Sequence, residues 1–518
     1  MAGDLDLEVG LLAEKALQGT SDFVPVLTWS SVRSRLLRHF PQPHRQRVID
    51  TTLLRYFSSR PAPLWLSYID FLLQEKLFTA GSLRVALTIC SANYECVTEA
   101  RFLNLTKCME QLMGDTFVLW SFAVESLSFT KRWKECFVYL EKLAQLKQAK
   151  ATHHSFVAAA CFRQNQLDDG FRLLQTVGES LQQPSFVAHS ELVKCVERLV
   201  MVKPSESLAL LDRYFTFLGE YELFPDDSIA RHIKDCCKRL QITCRLGIEM
   251  NKLTCPRCGT GLESYQISPE GFASVRDHIV RYIEDQLFAK TTPREWNNFK
   301  RFVKSQGPFD LVIDALNLSY FVGAFRSKPT DRNIIYATLR KVVKGLKHEH
   351  GMKNILLVAR RHFLSKLLPA NSQLGSDVKL QLVEDISADD VFVLYAALQS
   401  GPACYILSND RYRNYMGQLP VSEAILGTQW LQHRIIRSVN RHKLAAESTG
   451  RSLVWPDKFW VRAQCRQGYW HVPYDDGRPK ELIDELPKAW LCVVDRSART
   501  QQGAKTLGTK DVENDSFS

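Results

Sequence analysis

From about Trp29 to Leu240 apolar residues recur at three- and four-residue spacing with few glycines, which predicts helices throughout. Within that run the pattern repeats. His154-Ser155 in HSFVAAACFRQNQLDDGFRLLQ recurs as His189-Ser190 in HSELVKCVERLVMVKPSESLALL, an offset of 35 residues. The preceding unit, WSFAVESLSFTKRWKECFVYLEKL, is shifted by about one residue and puts Phe137 where the next has Phe171. Each unit reads as two amphipathic helices, the first of the best copy ending near Arg163 and the second starting near Leu167. A helix pair repeated at that period predicts a stacked solenoid with an extended concave binding face. Tetratricopeptide repeats, pentatricopeptide repeats and a plain helical bundle all remain compatible with the residues alone.

The texture changes after Leu240. LTCPRCGTGLESYQISPEGF carries glycine and cysteine, and a helical linker follows through about Phe302. From Phe309 to about Val439 apolar runs alternate with helical patterns: FDLVIDALN, NIIYATLRKVVKGLKHEH, NILLVARRH, DDVFVLYAALQSG, ACYILSND and HRIIRSV. Apolar strands separated by helices predict a parallel sheet covered on both faces. The segment FWVRAQCRQGYWHVPYDDGRPKELIDELPKAWLC is short and β-like, and the tail after Asp495 is polar enough to predict disorder.

Composition narrows the class only a little. The chain has 518 residues, 45% of them hydrophobic and 24% charged. That length suggests about three domains. No stretch approaches the ~18 uninterrupted apolar residues of a membrane span, so a soluble protein without membrane partners is expected. Lys and Arg outnumber Asp and Glu, giving a net charge of +11, which weakly favours a polyanionic partner such as nucleic acid. Fourteen cysteines without a secretory signal read as reduced thiols plus a metal site. The first residues carry Asp4, Asp6, Glu8, Glu14 and Asp22 before Arg33, opposite in character to an Arg-rich, acid-poor transit peptide.

The sharpest chemistry lies in four aspartates. Asp314 ends the first strand of the alternating region, Asp410 ends the strand in CYILSND, and Asp389 with Asp390 begin the helix between them. Ligands of open α/β sheets sit beyond the carboxyl ends of the strands, so the four fall at one predicted edge. Helix capping or turn chemistry explains each alone. Together they would repel without a cation, and hard oxygen ligands suit Mg²⁺ or Mn²⁺, with two ions able to activate water and stabilise the leaving oxygen of a phosphodiester. Asn317 lies just beyond Asp314, and Arg360, Arg361 and His362, at the end of the next strand, are candidates for meeting phosphates. Separately, Cys255 and Cys258 form half of a tetrahedral zinc site, for which His471 and Cys492 are the best distant partners by local texture.

These residues resemble a known family, protein-only RNase P, the RNA-free endonucleases that remove 5′ leaders from precursor tRNA. The resemblance is densest over about residues 250 to 493 and rests on FDLVIDALN, DISADDVFVLYAALQSG, LSNDRYRNY, YWHVPYDD and WLC, flanked by the C-x-x-C knuckle. The details are most like the animal mitochondrial branch. After an N-terminal extension (1–28), the resemblance implies an α-helical pentatricopeptide-repeat domain (29–245) and a split zinc-binding central domain with linker (246–305 and 455–495). Between those halves it implies an α/β metallonuclease domain of the NYN type, related to PIN nucleases (306–454), with a disordered tail at 496–518. The family's catalytic, metal-holding aspartates fall on Asp314, Asp389, Asp390 and Asp410, and its zinc ligands on Cys255, Cys258, His471 and Cys492. Where most members have Gly after the strand-end aspartate, this chain has Ala315.

The expectation is therefore a Mg²⁺-dependent endoribonuclease cutting precursor tRNA, with one structural Zn²⁺. The animal branch implies a mitochondrial matrix address and partnership with a tRNA methyltransferase and a short-chain dehydrogenase; the acidic N-terminus leaves nucleus and cytosol as alternatives. An NYN nuclease for other structured RNA, or a non-catalytic RNA-binding scaffold, are the rival readings.

Overall fold

The computed structural model describes the chain except residues 1, 18–23, 251–252, 287–290, 318–331, 362–377, 385–386, 439–452, 481–484 and 495–518. It divides into two compact units, Met1–Asp212 and Arg213–Ser518.

The first unit is all helical among its described residues. Helices begin at Phe117, Ala151 and Phe186, spacings of 34 and 35 residues, and the pair Ala151–Arg163 and Leu167–Glu179 has the boundaries the periodicity predicts. The repeat is a packing unit: Ser155 Oγ, inside the first helix of one copy, accepts the backbone N–H of Ser185 at the start of the next (3.1 Å). The stretch set apart as an extension contains a helix, Ala2–Ala16. Val9 and Ala13 on its apolar face share a core with Leu53 and Phe57 of helix Ile49–Phe57, while Glu8 beside them is exposed.

The second unit holds two sheets. The strands are β1 (Cys244–Glu249), β2 (Leu311–Asp314), β3 (Ile355–Arg360), β4 (Val378–Val383), β5 (Tyr405–Leu407), β6 (Ile435–Ser438), β7 (Leu453–Val454), β8 (Gln464–Arg466), β9 (Tyr469–Tyr474) and β10 (Ala489–Val494). The larger sheet runs β4-β3-β2-β5-β6-β7, parallel except for β7. Residues 311–314 of β2 are buried on both faces, as a central parallel strand requires. The sequence reading missed β4, whose Lys379 and Gln381 interrupt the apolar pattern; an edge strand tolerates them.

The helix Asp389–Ser400 is buried from Val391 to Leu398 and packs on this sheet. Its outer side is covered by the segment read as a linker. Helices Pro269–Asp285 and Pro293–Gln306 bury Phe272, Val275, Ile279, Ile283, Trp296 and Phe299, and Trp296 and Phe299 meet Phe392 and Tyr395 edge-on or tilted at centroid distances of 4.8–5.9 Å. Those helices are a wall of the α/β core. The smaller sheet runs β1-β10-β9-β8, antiparallel, and so joins a strand before the α/β region to three after it. No helix among the described residues is long and apolar enough to cross a membrane.

Candidate metal centres and catalytic edge

The order of the large sheet creates the crevice at which the aspartates gather. The chain leaves β2 towards β3 and β4, then returns to the other side of β2 to form β5 and β6. The reversal between β2 and β5 splays the connections beyond their carboxyl ends. Asp314 is the last residue of β2, Asp410 lies three residues past β5, and Asp389 and Asp390 open the helix that leads into β5.

Asp314 is 3% exposed, and hydrogen bonds hold its two oxygens apart. Oδ1 accepts the Asn317 backbone N–H (2.9 Å) and Oδ2 accepts the Ser408 hydroxyl (3.0 Å). Ser408 Oγ also accepts the Asp410 N–H (3.1 Å), while Asp410 Oδ1 accepts the N–H of Tyr412 (2.9 Å). Ser408 therefore ties the Asp314 carboxylate to the Asp410 backbone, a role the sequence reading did not assign although the residue sits in the quoted SND stretch. Burial pushes the Asp314 carboxyl up to about 7; the neighbouring charges of Asp389 and Asp390 add to this, and the two hydrogen bonds oppose it. A carboxylate placed in so costly a position is a candidate functional group.

Asp389 is paired. Arg360, at the end of β3, reaches its Oδ1 from Nη2 (3.0 Å) and Nε (3.3 Å), with the carboxylate buried and the guanidinium partly exposed. Neither aspartate caps the helix: the N-cap position is Ala388, with no side-chain cap. Their acidity at the first turn still favours the positive end of the helix dipole. Asn317 positions the edge from the other side, its Oδ1 accepting the Asn409 N–H (3.0 Å). Arg361 is exposed, and His362 lies outside the described residues. Ala315 is buried with φ outside the left-handed region, so a side chain fits there without strain.

A second constellation is tighter. The donor atoms of Cys255, Cys258, His471 and Cys492 all lie within 4.8 Å of one another, the one such group among the described residues. Cys255 and Cys258 sit on a turn in which the Cys255 N–H donates to Thr260 O (2.9 Å) and the Gly259 N–H to Cys255 O (3.0 Å), with Gly259 at φ 75°. His471 and Cys492 face each other across β9 and β10. Burial pushes His471 down to about 4, keeping the imidazole neutral, and its Nε2 lies 3.2 Å from Cys258 Sγ. Burial and the Cys255 and Cys258 thiols push Cys492 up. Three sulfurs and a neutral imidazole, closed on themselves and mostly buried, fit a tetrahedral metal ion.

Residues 250–492 match the family model described as Protein-only RNase P. The chain is 27% identical over 392 residues to the mitochondrial ribonuclease P catalytic subunit of Rattus norvegicus, covering 71% of this chain and 62% of that protein. The Mus musculus protein of the same name is 25% identical over 386 residues, with the same coverage. Proteinaceous RNase P 1, chloroplastic/mitochondrial, of Arabidopsis thaliana is 25% identical over 230 residues, covering 40% of this chain and 36% of its own length. The chain thus matches less than two thirds of the length of these curated relatives. A crystal structure of nuclear proteinaceous RNase P 2 from A. thaliana aligns with a TM-score of 0.48 at 14% identity, over 86% of this chain and 98% of that one.

Proposed function

We propose that this chain, which carries the protein-only RNase P domain across residues 250–492, is an endoribonuclease that removes the 5′ leader from precursor tRNA by hydrolysing one phosphodiester. The observation that carries this reading is the gathering of Asp314, Asp389, Asp390 and Asp410 at the switch point between β2 and β5. Its products would be a 5′-phosphate on the tRNA and a 3′-hydroxyl on the leader. The α/β region is read as the NYN-type nuclease and the helical repeats as a pentatricopeptide arm that grips the folded tRNA by shape and phosphate contacts.

Asp314, Asp389, Asp390 and Asp410 would hold Mg²⁺ or Mn²⁺, a fit favoured by acidic oxygens that repel one another when bare. When bound, the ions supply activation of water and neutralisation of charge on the phosphate. The chain's own residues prepare that site. Ser408 and the Asn317 N–H fix the orientation of the Asp314 carboxylate, and the Tyr412 N–H fixes that of Asp410. The Arg360 guanidinium offsets the charge of Asp389 and lies where it can turn towards a substrate phosphate. Asp314 must lose its proton to serve, which its environment resists below about pH 7.

Cys255, Cys258, His471 and Cys492 would hold one structural Zn²⁺, clamping the knuckle to the β9–β10 pair. The names of the rat and mouse relatives favour a mitochondrial address and a role as catalytic subunit; a tRNA methyltransferase and a short-chain dehydrogenase are the proposed companions.

The test is cleavage of an end-labelled mitochondrial precursor tRNA in Mg²⁺, with and without those companions, alongside an Asp314→Ala, Asp390→Ala double variant. A single cut at the 5′ boundary, lost in the variant, is expected. Intact RNA binding with no cut under either condition would remove tRNA processing and leave an RNA-binding scaffold.

A further inference from the structure

Helix Asp389–Ser400 opens with two of the four aspartates, yet nothing at its own N-cap fixes where it starts, because Ala388 offers no side-chain acceptor. The hydroxyl one position earlier belongs to Ser387, which is buried. Its bond is made to a distant element. Ser387 Oγ donates to Glu295 Oε2 (2.6 Å), 92 residues earlier in the chain.

Glu295 is the third residue of helix Pro293–Gln306, and both oxygens of its carboxylate are engaged. Oε1 accepts the backbone N–H of Glu384 (2.6 Å). Oε2 accepts the hydroxyl of Thr291 (2.8 Å) besides that of Ser387, and those two hydroxyl oxygens lie 3.1 Å apart, both residues buried. The carboxylate is held in its turn: Thr292 Oγ1, the N-cap, accepts the Glu295 N–H (3.3 Å). An acid in the first turn also favours the dipole of its own helix, which accounts for its charge but not for the two donors that come from Glu384 and Ser387. Hydrogen bonds to an ionised acceptor are roughly twice as strong as neutral ones.

The next residue, Trp296, packs on Phe392 and Tyr395 of the aspartate helix. Apolar contact of that kind is non-directional and sets the separation of two helices more firmly than their axial register. Directional bonds supply the register. One residue of slip would move the helix by about 1.5 Å and turn it by about 100°, carrying Asp389 and Asp390 off the edge shared with Asp314 and Asp410. A misplacement of about 1 Å can cost a hundredfold in rate.

We infer that Glu295 is a positioning residue for the aspartate edge: by holding the Glu384 N–H and the Ser387 and Thr291 hydroxyls, its carboxylate sets the register in which Asp389 and Asp390 are presented. The inference rests on the reading of those aspartates as ion ligands.

The experiment uses the full chain, with its companions where cleavage needs them, and the variants Glu295→Ala, which removes the acceptors, Glu295→Gln, which keeps a polar group for each partner, and Ser387→Ala, which removes one donor. Mn²⁺ binding is followed by electron paramagnetic resonance without RNA, and cleavage is measured separately. Glu295→Ala should weaken Mn²⁺ binding about tenfold and lower kcat about a hundredfold with KM for precursor tRNA unchanged, and Glu295→Gln should recover most of both. The double variant Glu295→Ala, Ser387→Ala should be no worse than Glu295→Ala, because the two side chains act through one bond. Hydrogen exchange of the 387–391 amides should quicken in Glu295→Ala while that of β2 stays slow. Unchanged Mn²⁺ affinity and kcat in Glu295→Ala, Gln as damaging as Ala, or additive losses in the double variant would overturn the proposal. So would a raised KM with kcat unchanged, which would make Glu295 an RNA contact. Should β2 also exchange freely in Glu295→Ala, the milder Ser387→Ala decides, and unchanged Mn²⁺ binding there overturns it. A wild-type chain that cuts no precursor but loses Mn²⁺ affinity when Glu295 is replaced would fault the tRNA-processing reading and leave the role of Glu295 standing.

Discussion

Replacing Asp314 by Asn should make the protein more stable and inactive at once. The structure sets the size. Burial raises the Asp314 carboxyl from 3.8 to about 7, a shift of about three units and hence about 4 kcal/mol of penalty on the charged form, at ~1.36 kcal/mol per unit. The folded state then binds more protons than the unfolded chain between about pH 4 and pH 7, so stability contributed by this group is full below pH 4 and is lost as pH rises through 7. Asn carries no charge, retains an oxygen for the Asn317 N–H, and presents an NH₂ that Ser408 Oγ can accept. Without added Mg²⁺ the variant should therefore resist urea better than wild type at pH 8, by up to about 4 kcal/mol, and match it near pH 4. Tryptophan fluorescence follows the unfolding. Mg²⁺ should restore stability to wild type only, while cleavage by the variant falls about a thousandfold. If the urea midpoints of the two proteins run in parallel from pH 4 to pH 8, the account of Asp314 as a strained carboxylate relieved by a cation is wrong.

Glu222 offers a control remote from catalysis: burial raises it to about 7 against a hydrogen bond from the Trp460 indole, so Glu222→Gln should abolish a loss of about 3 kcal/mol between pH 4.5 and 7, and an unchanged pH–stability curve would contradict it. Cys492→Ala should lower zinc content from one ion per chain towards none and weaken the β9–β10 sheet, read by elemental analysis and hydrogen exchange; full zinc retention would exclude Cys492 as a ligand. Arg360→Ala deprives Asp389 of its partner, costing about 1–3 kcal/mol without divalent ions and lowering the Mg²⁺ concentration for half-maximal cleavage; a raised requirement would show that Arg360 assists the ions instead of competing with them.

Much of this was legible in the residues because it rests on local pattern. The helix pair Ala151–Arg163 and Leu167–Glu179 follows from apolar spacing, and β2, β3 and β5 from short apolar runs between helices. What failed did so for tertiary reasons. Helix Ala2–Ala16 looked like an acidic extension because one buried face of Val9 and Ala13 is a faint signal. Helices Pro269–Asp285 and Pro293–Gln306 looked like a connection because nothing local reveals that Trp296 and Phe299 close over Phe392. The pairing of Asp389 with Arg360 depends on the side-by-side placement of β3 and the following helix, and the bridging hydroxyl of Ser408 on the β2–β5 neighbourhood. The partners of Cys255 and Cys258 are separated from them by more than 200 residues, and only the register of His471 opposite Cys492 makes the set compelling.

That separation has a consequence in time. A ribosome emitting about 5–20 residues per second needs roughly 10 to 50 s to pass from Cys258 to Cys492. Throughout that interval the knuckle is a bare dithiol, exposed to oxidants and to competing soft metals, while the entire α/β region emerges and folds between the two halves of its clamp. If the proposed Zn²⁺ fills that set, fidelity of metal loading and the yield of folded protein under zinc limitation or oxidative stress would depend on how quickly translation traverses the inserted region, and slow codons within it would be harmful where slow codons elsewhere are not.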